Sequence, residues 1–346
     1  MTTATDEALR RLLDAGLARA AAIDPEHARL WEALCAATEG GKRFRPALVI
    51  ATHDALGGTC AAAAVEVGAA VELLHTAFVI HDDVIDGDHV RRGRLNVSGM
   101  FRDQARAAGA SSEDAEDYGV TAAILAGDLA LAAAVRSVAT CGATTDVVRR
   151  LLDLLDAALH TTAAGELADV RLSLGLAPTS LAESLAMEEQ KTSAYSFALP
   201  LQAGAVLAAA GDTTTRRLGE AGRKLGVAFQ LVDDLIGVFG DPARSGKSST
   251  SDLRTSKQTP LLVHAASTQE WARLRPYVGR DLDDEELDEA RRLLVASGSR
   301  RFVEELADQQ LSAARSIVEE VGIPYDLLAA LTTPSPALMA GREVAA

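Results

Sequence analysis

The sequence predicts an all-α protein, and three observations carry that prediction. Aromatic residues make up only 4% of the 346-residue chain, whereas Ala and Leu are abundant. Ala and Leu lose little rotamer freedom in a helix, while strands favour β-branched and aromatic residues. Apolar residues recur at helical spacing along nearly the whole chain, and no convincing run of alternating polar and apolar residues marks a strand.

The elements follow in order. "TDEALRRLLDAGLARAAA" opens with Thr5 as an expected N-cap and acids in the first turn. From Cys60 a helix-favouring stretch leads into "VEVGAAVELLHTAFVIHDDVID". Further helices are expected around Tyr118–Thr140, Thr145–Leu174, Leu181–Ala209, Thr213–Phe239, Thr259–Tyr277, Asp284–Ala296 and Arg300–Val321. Breakers stand at "EGGKRFRP" (Glu39–Pro46), at "GLAP" (Gly175–Pro178) and across Gly240–Pro260. The last is long and polar, which makes it a candidate lid. No linker splits the chain. One domain over residues 1–346 is expected, with its motifs within 40–260 and a frayed tail after about Pro334.

Bulk properties exclude some classes. The net charge of -15, from 34 basic and 49 acidic residues, argues against a nucleic-acid binder, which needs a surplus of Lys and Arg. Such acidity fits a soluble surface. Cys35, Cys60 and Cys141 form no Cys-x-x-Cys pair and are odd in number, as expected of reduced thiols in a cytoplasmic protein. The N-terminus lacks a basic-then-apolar signal pattern. No uninterrupted apolar run approaches the roughly 18 residues of a spanning helix, so no stable membrane insertion is expected.

Two stretches carry the chemistry. "AFVIHDDVID" (Ala77–Asp86) and "AFQLVDDLIG" (Ala228–Gly237) are alike, each with Asp-Asp after an apolar run. Asp82, Asp83 and Asp86 fall at i, i+1 and i+4, so Asp82 and Asp86 share a helix face one turn apart. Like charges at the end of an apolar stretch are unfavourable unless cations neutralise them. Oxygen-only ligands select a hard cation such as Mg²⁺, usually completed by water and substrate phosphates. One such cluster is more often a solvated acidic turn; two related clusters in apolar helices favour metal. Basic residues accompany them: Lys42, Arg43 and Arg45 in "GGKRFRP", Arg91, Arg92 and Arg94 in "RRGR", then Lys191-Thr192, Lys247 and Lys257. Each alone reads as a solvated basic face. Together, in an acidic chain, they suggest diphosphate groups held by Mg²⁺, Arg and Lys.

These motifs, with "GELADV", "KTSAYSFALPLQAG", "SGKS" and "DLRTSKQT" in order from Gly40 to Pro260, give the chain a resemblance to the trans-isoprenyl diphosphate synthases (polyprenyl synthetases). The resemblance implies an all-α isoprenoid synthase-type bundle around a deep central pocket with both Asp clusters at its mouth. It also implies a homodimer. The implied activity is Mg²⁺-dependent head-to-tail condensation of isopentenyl diphosphate with an allylic diphosphate, with three Mg²⁺ ions expected per site. By the same resemblance Asp82, Asp86 and Asp233 ligate metal, and Asp83 and Asp234 support them. Arg91, Lys191, Lys247 and Lys257 hold the allylic diphosphate. Lys42, Arg45, His75 and Arg92 hold isopentenyl diphosphate. Thr192 and Gln230 face the carbocation, and released diphosphate acts as the base. His75 lies two helical turns before Asp82 on nearly the same face; alone it would read as a core histidine. His81 and His89 are not expected to be ligands, and the pair His53-Asp54 is weak evidence for any metal site.

Phe78 lies one turn before Asp82 and Ala77 beside it is small. In the resembling family bulk at these positions shortens the product. Twenty carbons, geranylgeranyl diphosphate, is the expected length, with the fifteen-carbon farnesyl and twenty-five-carbon geranylfarnesyl diphosphates as neighbours. The chain departs from the family pattern at Gly237, which replaces a third Asp, and at Leu95-Asn96, where Pro-Thr is usual. Glu166 stands for a usual Gln, and Thr255-Ser256 for Glu-Gly. Asp241 could supply a water-mediated carboxylate if the helix reaches it. A class I terpene cyclase is disfavoured by the missing Asn/Asp-x-x-Ser/Thr-x-x-x-Glu motif. A non-catalytic modulating subunit is disfavoured because nearly all diphosphate contacts remain.

Overall fold

The computed structural model describes residues 3–240 and 251–332. Among the described residues the chain is helical apart from one two-stranded hairpin. It divides into two compact units. The first covers the described residues up to Leu155 with Ala203–Gly211; the second covers Asp156–Gln202 and the described residues from Asp212 onward.

In the first unit, helices α1 (Ala4–Ala21), α2 (Pro25–Ala37) and α3 (Phe44–Ala55) lead to α4 (Ala61–Ile85). Thr3, not Thr5, caps α1: its hydroxyl accepts from the Asp6 N–H and the Asp6 carboxylate accepts from Thr3 N–H, while Thr5 is buried inside the helix. The acid three residues after the cap completes the reciprocal pair. Helix α4 is apolar nearly all round, with Val67, Val71, Leu73, Leu74 and Ile80 buried, as befits a core helix. It packs against α1, α3 and α6 (Ser112–Ala139), and α5 (Val97–Ala107) packs on α6. Both α4 and α6 are long and apolar enough to cross a membrane. In α4 most of that stretch is buried within the protein, whereas α6 leaves Ile124, Leu125 and Val135 exposed.

The hairpin pairs β1 (Val90–Arg91) with β2 (Arg94–Leu95), antiparallel and in the register Arg91↔Arg94. No strand is legible in the sequence here, because two residues are too few for an alternating pattern. The signal is instead the turn: Arg92 and Gly93 both have positive φ, 55° and 74°, the two-residue turn whose twist suits a hairpin.

The second unit holds the rest of α7 (Thr145–Ser173), α8 (Leu181–Glu188), a π-helical segment Glu189–Ala198, the first part of α9 (Leu199–Leu207), and α10 (Asp212–Phe239). Beyond them lie α11 (Ser251–Arg254), α12 (Pro260–Ala266), α13 (Trp271–Leu274), α14 (Asp284–Ala296), α15 (Ser299–Glu320) and α16 (Tyr325–Thr332). Leu231, Leu253, Leu261, Leu274, Leu294 and Val303 form the centre of its core. The helix expected over Thr259–Tyr277 is broken into α12, α13 and a 3₁₀ turn at Arg275–Tyr277 that contains Pro276.

The helix expected over Leu181–Ala209 is continuous but widens at its centre. Pro200 has no N–H to donate, and its ring would strike the Ser196 carbonyl in a regular α-helix. The π turns before it open the backbone at that point. Neighbouring helices press on the widened segment. A Cβ on Gly165 of α7 would lie 2.2 Å from the Lys191 nitrogen, and one on Gly226 of α10 would lie 2.3 Å from Ser193 Cβ. Only glycine allows either approach.

Candidate active site

The first carboxylate cluster ends α4. Asp82 and Asp83 lie in its last turn and Asp86 is its C-cap. Negative charge at a helix C-terminus opposes the helix dipole, so the cluster needs cations. The hairpin supplies one. Arg91 Nε donates to Asp83 Oδ1 at 2.7 Å and its Nη2 to Asp82 Oδ2 at 3.2 Å; Nη2 also pairs with Asp83 Oδ1. The three acids therefore differ. Asp83 is buried at 3% exposure, Asp82 is half-buried and Asp86 is exposed. Burial pushes the Asp83 carboxyl up from its ordinary range, and Arg91 works against that shift.

A basic basin surrounds His75 in the same unit. Burial, then the positive charges of Arg45, Arg92, Arg91 and Arg43, hold the His75 pKa well below its usual 6.5, so its imidazole is neutral at pH 7. The loop before α3 is built to present this charge. Gly40, Gly41 and Arg43 all have positive φ. Arg43 is tied down by three acceptors: Asp6 Oδ1 at 3.2 Å, Glu72 Oε1 at 2.7 Å and the Thr38 carbonyl at 2.7 Å. Glu72 is 5% exposed, with its Oε2 buried and lacking a hydrogen-bond partner. Arg43 is thus a structural clasp; Lys42 is exposed and Arg45 is half-buried, its guanidinium 4.4 Å from the centre of the Phe44 ring. Arg92 is exposed and reaches the Glu39 carbonyl at 3.4 Å. Asn96, at the position of the usual Thr, caps α5 through Gly99 N–H at 2.9 Å and donates to the Asp88 carbonyl at 2.7 Å. That departure leaves the cap intact.

The second cluster lies on α10 in the other unit. Asp233 is half-buried; Asp234 is 4% exposed and accepts from Gln230 Nε2 at 3.0 Å. Gln230 Oε1 in turn accepts from the Thr192 hydroxyl at 3.4 Å. In both clusters, then, the second Asp is the buried one, held by Arg91 in one and by Gln230 in the other. Helix α10 continues through Gly237 to Phe239, and Arg291 caps its end by donating to the Val238 carbonyl at 2.7 Å. Lys247, the "SGKS" stretch and Asp241 lie outside the described residues. Lys257 is half-buried in the connection before α12, whose N-cap is Thr259.

Lys191, on the π segment, has partners that the sequence does not reveal. Its Nζ lies 3.0 Å from Glu166 Oε1 and 2.7 Å from Asp169 Oδ2, both on α7. Only the "GELADV" spacing, two acids at i and i+3, hinted at this.

Among the described residues no group of three or more His, Cys, Asp and Glu side chains forms a ready metal cage. Asp83 is buried and held by Arg91, while Asp82 is half-buried and Asp86 exposed. Two carboxylates and no nitrogen or sulfur donor suit a hard divalent ion that draws its remaining ligands from water and phosphate. Ala77 is fully buried, whereas Phe78 is half-buried.

An all-α fold with Asp-rich helix ends and a basin of arginines defines the isoprenoid synthase class. Residues 27–294 match the family model described as polyprenyl synthetase. The chain belongs to the polyprenyl synthetase family and is a prenyltransferase. It is 34% identical over 304 residues to a geranylgeranyl diphosphate synthase of Mycobacterium tuberculosis, covering 85% of this chain and 79% of the relative. It is 33% identical over 286 residues to a geranylfarnesyl diphosphate synthase of Aeropyrum pernix, covering 82% of this chain and 84% of the relative. A crystal structure of a Corynebacterium glutamicum geranylgeranyl pyrophosphate synthase, complexed with isoprenyl diphosphate and magnesium, superposes with a TM-score of 0.85 at 29% identity; the match covers 98% of this chain and 97% of that one.

Proposed function

We propose that this prenyltransferase joins isopentenyl diphosphate head-to-tail to an allylic diphosphate and releases an all-trans product of twenty carbons, geranylgeranyl diphosphate. The observation that carries the reading is the end of α4, where Arg91 holds Asp82 and Asp83, Asp86 stands exposed one turn on, and arginine charges bear on His75. Relatives named farnesyl, geranylgeranyl and geranylfarnesyl diphosphate synthases bracket that length at fifteen to twenty-five carbons.

Asp82, Asp86 and Asp233 would hold Mg²⁺, three ions in all, with Asp83 and Asp234 fixing their neighbours. Bound Mg²⁺ would stabilise the charge that develops on the leaving diphosphate. Arg91, Lys191, Lys247 and Lys257 bind that diphosphate. Lys42, Arg45 and Arg92 bind isopentenyl diphosphate, and neutral His75 offers it a hydrogen bond without adding positive charge. The carbon–oxygen bond of the allylic substrate breaks, and its electron pair leaves with the diphosphate. The double bond of isopentenyl diphosphate supplies the electrons of the new carbon–carbon bond. Thr192 and Gln230 present dipoles to the cation, and the final proton goes to the released diphosphate.

Phe78, half-buried one turn before Asp82, would end chain growth; Ala77, fully buried, leaves Phe78 as the bulk that counts. Phe78→Ala should yield longer products by mass spectrometry, and an unchanged product would remove Phe78 from the account. A homodimer in the cytoplasm is part of the proposal, and the exposed Ile124, Leu125 and Val135 of α6 support the pairing. The decisive test incubates purified protein with isopentenyl diphosphate, each allylic primer and Mg²⁺, then sizes the product. Failure with every primer would favour a non-catalytic subunit.

A further inference from the structure

We propose that Glu166 sets how tightly this chain takes the allylic diphosphate, by competing with it for Lys191. The inference rests on the reading of Lys191 as a contact to that diphosphate. One ammonium here faces two carboxylates, Glu166 at 3.0 Å and Asp169 at 2.7 Å. Side-chain exposures of 18%, 21% and 13% for Lys191, Glu166 and Asp169 keep the trio poorly screened. Within this trio one positive charge meets two negative ones. The usual Gln in place of Glu166 could accept the same hydrogen bond without the charge.

Gly165 lets α7 come so close that an added Cβ would lie 2.2 Å from the Lys191 nitrogen. Lys191 is thus closely packed at its main chain against α7. A diphosphate that accepts from the ammonium sits beside both carboxylates, and it must displace one of them to take more than a single N–H. Charge-assisted hydrogen bonds are the stronger kind, so removing one of the two should show directly in affinity. Glu166 is a positioning residue: it acts on the substrate through Lys191.

The test compares wild type, Glu166→Gln, Lys191→Met and the double variant. Inorganic pyrophosphate binding is measured by calorimetry with and without Mg²⁺, and KM is measured for each substrate. Glu166→Gln should bind pyrophosphate about 3- to 10-fold more tightly. The KM for the allylic diphosphate should fall by a similar factor, while that for isopentenyl diphosphate stays put. In the Lys191→Met background the Glu166 change should have no effect. Glu166→Ala, which also loses the hydrogen bond, should tighten binding at least as much. Unchanged pyrophosphate affinity in Glu166→Gln would overturn the proposal. Weaker affinity would overturn it too, because Glu166 would then serve the metal or the diphosphate directly. If Lys191→Met left pyrophosphate affinity and allylic KM untouched, the reading of Lys191 itself would fall, a result distinct from failure of the Glu166 effect alone.

Discussion

At the residue scale, the chemistry turns on buried acids and the cations that hold them. Asp83 is 3% exposed and depends on Arg91. Breaking a buried pair by removing one partner costs about 3–5 kcal/mol; the 38% exposure of the Arg91 side chain brings this down to roughly 1–3 kcal/mol here. Arg91→Met should therefore lower the melting temperature and the activity together. Adding Asp83→Asn should restore the melting temperature but not the activity, because the diphosphate contact remains lost. His75 gives a pH signature. Its folded-state pKa lies below the unfolded value of about 6.5, so below that pH the unfolded chain takes up the proton more readily. The stability contribution is full above about pH 6.5 and is lost as pH falls toward the depressed folded value. Denaturant midpoints measured from pH 7.5 to 5 should fall, and His75→Gln should flatten that part of the profile.

At the element scale, two local distortions place charged groups. The hairpin after α4 turns the chain back so that Arg91 meets Asp82 and Asp83. Gly93 sits at its turn with a φ of 74°, where a side chain costs about 1–2 kcal/mol. Gly93→Ala should loosen the turn and raise the KM for the allylic diphosphate through displaced Arg91, with a smaller effect on isopentenyl diphosphate. Equal changes for both substrates would mean that the hairpin serves the fold rather than Arg91. The π segment plays the matching part in the second unit, since it carries Lys191 and Thr192 against α7 and α10. Its cause, Pro200 ten residues beyond Gln190, is visible in the sequence. Its placement is not, because it needs Gly165 and Gly226 from helices far along the chain.

At the scale of the whole molecule, the family match at 27–294 runs through both compact units, and each unit carries one carboxylate cluster. The surface is acidic, at -15 overall, yet α6 shows an apolar face with Ile124 and Leu125 exposed at 43% and 49%. Light scattering should give twice the chain mass for the wild type. Ile124→Glu with Leu125→Glu should halve it without unfolding the chain, since exposed substitutions cost little in a monomer. A wild-type protein already at single-chain mass would sink the homodimer.

The sequence by itself determined the long helices α4, α6, α7 and α10, their order and the spacing that puts Asp82 and Asp86 on one face, because helical periodicity is local and repeats every 3.6 residues; the shorter α2, α3 and α5 were not among the helices it marked. It also marked nearly every basic residue of interest, although not what each one touches. Only the tertiary structure decided that Asp83 and Asp234 are buried, that Arg43 is a clasp between Asp6 and Glu72, and that Lys191 rests on Glu166 and Asp169. The physical reason is range. A side chain's burial and its ionic partner depend on elements brought together from tens of residues away, and no window of sequence contains them.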